Sequence, residues 1–156
     1  MIGRVPHLTP AAWDDPVVQE LTSAQQTEMR VLYDGDIEPG VKPSADDIAV
    51  VLVARDDDGT PVGCGALRPL EPGAAELKRM YVVPAARGRG ISRLLLVALE
   101  AEAAARGWRT LRLETGTRQP AAVGLYTAAG YRPVEAFGHY VTDDTDDSLY
   151  FARVLA

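Results

Sequence analysis

The sequence predicts a mixed α/β fold in a single domain spanning residues 1–156. Three observations carry that expectation. Short apolar runs of strand length alternate with longer segments whose apolar residues recur at helical spacing. The middle of the chain reads strand–helix–strand, the unit that places two strands in parallel. Of the 156 residues, 47% are apolar, enough for one sizeable core.

The elements follow in order. Residues Asp15 to Tyr33 read as a helix, with acids at its start and Gly35 just past its end. The segment "DIEPGVKPSADD" has two prolines and no periodicity, and reads as a loop. "IAVVLVARDDDGTPVGCGALRPL" reads as two strands joined by a tight turn at Asp58-Gly59. "AELKRMYVV" is a third strand, stopped by Pro84. Ile91 to Arg106 forms a helix ended by Gly107, and "WRTLRLET" the strand after it. Gln119 to Ala129 is a helix with Pro120 in its first turn and Gly130 beyond its end. "YRPVEAF" and "SLYFARVL" read as closing strands, with the acidic "TDDTDD" a solvated turn between them. The crossover through the Ile91 helix predicts parallel strands around Met80 and Leu113. There is no internal repeat and no long linker.

Composition narrows the function. A net charge of −6 argues against general nucleic-acid binding and against docking on anionic membranes. No segment reaches the ~18 apolar residues of a membrane span, and "MIGRVPHLTP" lacks the apolar stretch of a secretory signal. A cytoplasmic protein is the expectation. Cys64 is the one cysteine, so no internal disulfide forms. His7 and His139 have no cysteine pair beside them, which argues against zinc.

One stretch runs against the acidic background. From Leu77 to Leu99 there is no Asp or Glu, while Lys78, Arg79, Arg87, Arg89 and Arg93 all lie inside. Gly88 and Gly90 flank Arg89 just before the Ile91 helix. Glycine lets the backbone approach an anion closely, and a helix start offers unpaired N–H groups at the positive end of its dipole. Arginines there oppose the dipole, which argues against a merely solvated turn. The turn therefore reads as a phosphate or pyrophosphate site. No Gly-Lys-Ser/Thr follows, so it is not a P-loop. The Gly-x-Gly is too short for a dinucleotide fingerprint.

"RGRGIS" at Arg87 to Ser92 resembles the Arg/Gln-x-x-Gly-x-Gly/Ala signature of the GNAT superfamily of N-acetyltransferases. The likeness extends through "ELKRMYVVPAARGRGISRLLL" and "LRLETGTRQPAAVGLYTAAGY", about Glu76 to Tyr131, and the upstream hairpin fits as well. Ser92 departs from the usual Gly or Ala, but serine is small and adds a hydroxyl. The resemblance implies a mixed central sheet of about six to seven strands flanked by helices. It implies acetyl-CoA as co-substrate, an amine acceptor and no metal, and it is compatible with the homodimer that many relatives form.

The resemblance also implies roles for particular residues. The amides of Gly88, Arg89, Gly90, Ile91, Ser92 and Arg93, after Arg87, hold the pyrophosphate. The strand edge at Met80, Tyr81 and Val82 pairs with the pantetheine arm and polarises the thioester carbonyl. Tyr126 matches the tyrosine beside the CoA sulfur and is the candidate acid, since a phenol is protonated near neutrality. Glu114, twelve residues before it, is the first candidate base. Glu76 is the second, acting through water. Gln119 stands where many relatives have an asparagine on the cofactor arm. The implied reaction is acetyl transfer to a primary amine in a ternary complex. A non-enzymatic acetyl-CoA-binding module and an acyltransferase for longer acyl-CoA remain the alternatives.

Overall fold

Asp15 starts the first helix by accepting a hydrogen bond from the Val17 N–H at 2.8 Å, and Pro16 occupies the first helical position, where its missing N–H costs nothing. The computed structural model describes residues 5–35 and 39–155. Part of the predicted "DIEPGVKPSADD" loop, residues 36–38, lies outside the described residues. The helices are α1 (Pro16–Leu32), α2 (Ile91–Ala105) and α3 (Pro120–Ala128). The strands are β1 (His7–Pro10), β2 (Val50–Arg55), β3 (Pro61–Pro69), β4 (Ala74–Val82), β5 (Thr110–Gly116), β6 (Arg132–Pro133) and β7 (Ser148–Val154).

The strands form one mixed sheet in the order β1-β2-β3-β4-β5-β7-β6. Only β4 and β5 are parallel, as the crossover through α2 requires. The strands that carry Met80 and Leu113 are parallel as expected, but their pairing is short. It joins Ala74–Glu76 to Thr110–Arg112 and then stops, so Met80 has no partner on β5. "YRPVEAF" contributes only the two-residue β6, with one further backbone bond from the Val134 N–H to the Tyr150 carbonyl at 2.9 Å. β1 was not apparent from sequence; it carries no apolar alternation and is held by pairing with β2.

The two faces of the sheet are covered differently. Ile91, Leu95, Leu96, Leu99 and Ala103 form the buried stripe of α2 and pack on Leu67, Ala75, Leu77, Leu111 and Leu113. Each such leucine contributes about 1.5–3 kcal/mol by leaving water. On the opposite face, Val18 and Leu21 of α1 pack on Val51, Val53, Cys64, Ala66 and Tyr81. The expected alternation of β5 holds: Leu111 and Leu113 are buried, while Arg112 and Glu114 face the α1 side.

β4 carries an irregularity that shapes everything downstream. Tyr81 pairs with Cys64 and Lys78 with Ala66, so Arg79 and Met80 together oppose Gly65. Arg79 takes a left-handed φ of 58°, uncommon for a residue with a side chain. Gly65 leaves room there for two side chains that a larger residue would have to displace. A Cβ on it would lie 2.5 Å from Met80 Sδ and 2.7 Å from a Leu99 methyl.

Candidate active site

A bulge increases local twist and bends its strand. Beyond Glu76, β4 turns away from β5, which continues along β7 as far as Gly116 opposite Ser148. The divergence opens a cleft through the sheet. Leu77, Lys78, Arg79 and Met80 line it from β4, and Glu114, Thr115 and Gly116 from β5. Gln25, Gln26, Met29, Arg30 and Tyr33 of α1 and its end line the upper side, with Gln119, Ala122 and Tyr126 on the α3 side.

Tyr126 and Glu114 therefore reach the same cleft from different elements. Tyr126 is buried, and burial alone raises its phenol above the ordinary value near ~10, so it holds its proton at neutral pH. Its ring packs edge-on against Tyr131, centroids 5.6 Å apart. The Tyr131 hydroxyl donates to Glu100 at 2.9 Å, and Arg153 donates to the same carboxylate oxygen at 2.6 Å. That chain ties the end of α3 to α2 and β7, and it fixes where Tyr126 sits.

Glu76 has a different setting. Its carboxylate is 1% exposed and accepts two hydrogen bonds from Arg68, at 2.9 and 3.2 Å, and one from the Tyr140 hydroxyl. Lys78 Nζ lies 3.7 Å from it and donates to Tyr140 at 3.1 Å. Arg68 also donates to the Val41 carbonyl at 2.6 Å and to Asp47. Glu76 borders a separate recess, with Phe137, His139 and Tyr140, rather than the cleft that holds Tyr126. Sequence reading missed this cluster, since Arg68, Lys78 and Tyr140 carry no motif and meet only through strand pairing and a distant turn.

The arginine-glycine turn keeps the expected backbone form. Gly88 and Gly90 have φ of 82° and 77°, and a Cβ on either would meet nothing within 4 Å. Gly90 caps α2 with no side-chain hydrogen bond, so the first amides of α2 have no side-chain acceptor. The arginine side chains, however, point to protein partners. Arg87 donates to the Val82 carbonyl at 2.9 Å, pairs with Glu28 at 2.8 Å and stacks over Tyr81. Arg89 pairs with Asp56 at 2.7 Å. Arg93 is exposed and Ile91 is a core residue. Any anion at this turn thus meets chiefly backbone N–H groups and the positive end of the α2 dipole.

The remaining residues are placed as follows. Tyr81 and Val82 pair with Cys64 and Gly63 of β3 and are buried. The Met80 carbonyl accepts from Gln25 Nε2 at 3.2 Å. Gln119 lines the cleft, but its amide donates to the Tyr33 hydroxyl at 3.2 Å. Cys64 is buried and its thiol pushed up to about 12 by desolvation, so it is inert. Among the described residues no group of His, Cys, Asp and Glu has the makings of a metal site. No helix among them is long and apolar enough to cross a membrane.

A mixed open sheet split at its one parallel pair, with a glycine turn leading into the crossover helix, is an acyl-CoA N-acyltransferase architecture. The family model described as "Acetyltransferase (GNAT) family" matches residues 11–131, and the chain belongs to that family. An "IAA acetyltransferase" of Azospirillum brasilense is 45% identical over 105 residues, 67% of each chain. A crystal structure from Klebsiella pneumoniae, of a protein assigned as an acyl-CoA N-acyltransferase, superposes with a TM-score of 0.83 at 34% identity, covering 97% of this chain and 98% of that one. A GNAT acetyltransferase from Elizabethkingia anophelis with acetyl-CoA bound shares the fold, with a TM-score of 0.71 at 17% identity over 96% and 97% of the two chains.

Proposed function

We propose that this protein transfers acetyl from acetyl-CoA to a primary amine by direct attack in a ternary complex. The observation that carries the reading is that Glu114 of β5 and Tyr126 of α3 line one cleft, the one opened where β4 and β5 part. The cleft and the turn fit a CoA thioester. Beyond Glu76 no described strand pairs the β5-facing edge of β4, which leaves backbone groups for an extended amide-bearing arm. The open glycine turn suits a pyrophosphate.

Bound acetyl-CoA would supply an activated acyl group on a thioester. The chain's own residues supply the rest. Amides from Gly88 to Arg93 bind the phosphates. The bulge at Arg79 and Met80 redirects the backbone, and an N–H on that edge polarises the acyl carbonyl. Glu114 accepts the proton released by the amine, directly or through one water. Tyr126, protonated because it is buried, donates to the departing sulfur. Glu114 is favoured over Glu76 as base because Glu76 is committed to Arg68, Tyr140 and Lys78 and opens to another recess.

The test is thiol release from acetyl-CoA across a panel of amines, with native protein and Tyr126→Phe. Turnover with one amine class, reduced about tenfold or more in the variant, is the expected result. Tight acetyl-CoA binding with no amine acetylated would instead make the protein a binding module. Absence of acetyl-CoA binding would sink the reading of the glycine turn.

A further inference from the structure

The end of α1 is fastened to the turn that leads into α3 through two residues, Tyr33 and Arg118. The Tyr33 hydroxyl accepts from the Arg118 backbone N–H and from Gln119 Nε2, each at 3.2 Å. It lies so close to Gly116 that a Cβ there would overlap it. From the other side, the Arg118 guanidinium covers the Tyr33 ring at 5.4 Å and donates to the Leu32 carbonyl at 3.0 Å. Two segments more than eighty residues apart are thus interlocked: Leu32–Tyr33 from α1 and Gly116–Gln119 from the β5–α3 turn.

The two segments belong to different walls of the cleft. α1 contributes Gln25, Gln26, Met29 and Arg30 to one wall. Gly116 and Gln119 belong to the β5–α3 wall, and α3 carries Tyr126 on the same face as Gln119, seven residues on. α1 has no comparable grip on α3 elsewhere among the hydrogen bonds of the described residues: Gln25 reaches Met80 of β4 and Glu28 reaches Arg87.

We infer that Tyr33 is a positioning residue that couples occupancy of the donor cleft to the order of the α1 wall. This rests on the reading of the cleft as an acetyl-CoA site. A ligand that orders the Gly116–Gln119 turn also holds Tyr33, and through it the last turn of α1. Coupling of this kind is reciprocal, so cutting the link weakens the ligand by the factor by which the ligand no longer orders the helix end. The cleft-lining residues of α1, Gln25, Gln26, Met29 and Arg30, are then held more firmly once acetyl-CoA is bound.

Hydrogen exchange reads this directly, because the Tyr33 and Gly35 amides bond to the Met29 and Arg30 carbonyls at 2.9 Å. Acetyl-CoA is the probe, with native protein, Tyr33→Phe and Arg118→Met compared at equal saturation. The expected result is exchange at Tyr33–Gly35 slowed about tenfold by acetyl-CoA in the native chain. In Tyr33→Phe that slowing is lost, affinity for acetyl-CoA falls by a similar factor, and slowing at Gly88–Arg93 persists. Arg118→Met reproduces the loss, and the double variant adds little to either, since both residues serve one fastening. Equal slowing in native and Tyr33→Phe, or none at Tyr33–Gly35 in the native chain while Gly88–Arg93 slows, overturns the inference and leaves the acetyl-CoA reading intact. No acetyl-CoA binding by native protein overturns both.

Discussion

Replacing Glu76 by glutamine separates a structural carboxylate from a chemical one. Glu76 is 1% exposed, between Arg68 and Lys78, whose side chains are 8% and 7% exposed. Breaking a buried pair by removing one partner costs about 3–5 kcal/mol, because the other charge stays buried without compensation. Two features reduce that cost. Glutamine keeps one carbonyl oxygen able to accept from Arg68 or Tyr140, and Asp47 remains 3.3 Å from Arg68. We therefore expect Glu76→Gln to lose about 2–4 kcal/mol of stability. At about 2–4 °C per kcal/mol for a chain of this size, Tm falls by roughly 5–15 °C. Urea unfolding followed by circular dichroism measures the free energy, and thiol release below the lowered Tm measures turnover. The expected pattern is a large stability loss with kcat within about fivefold of native. A loss under about 1 kcal/mol together with a hundredfold fall in kcat would refute the reasoning and make Glu76 the base.

Three further outcomes follow from the same geometry. Gly90→Ala forces a side chain into φ of 77°, costing about 1–2 kcal/mol, and lowers acetyl-CoA affinity about tenfold by calorimetry. Burial raises the Tyr126 phenol above its ordinary value, so its proton is retained up to about pH 10. The kcat profile of native protein then shows no basic-side fall below about pH 10 that Tyr126→Phe abolishes. With its thiol raised to about 12, Cys64 holds about one thiolate in ten thousand at pH 8. Iodoacetamide should leave the native chain unmodified for hours and label it within minutes in denaturant, as mass spectrometry would record.

The backbone form of the proposed donor turn is legible in the sequence because the chemistry it would serve is local. A phosphate turn needs left-handed glycines beside a helix start, and those are neighbours along the chain: Gly88, Gly90 and Ile91. Tyr126 and Gln119 share a helix face by spacing alone. The arginines of the turn have partners that the sequence does not show. Their charge reads as a grip on phosphate, yet Arg87 and Arg89 are turned to Glu28 and Asp56, acids fifty-nine and thirty-three positions away. The short β1 and the near-absence of β6 are also hidden, because their pairing depends on what lies alongside them rather than on their own pattern.

What the chain determined by itself is the order of its three helices and its longer strands, the crossover that makes β4 and β5 parallel, and the residue types placed along the glycine turn. These follow from periodicity, turn chemistry and handedness, which act over a few residues or one supersecondary unit. Tertiary structure decided where the parallel pair parts and which glutamate lies in the opening. It also decided how α1 is held over it. The reach of Tyr140 to Glu76, of Arg87 to Glu28 and of Tyr33 to Gly116 each joins segments distant in sequence. The physical reason is that charges and close contacts act over a few ångströms in space, and only the folded sheet brings those groups within that range.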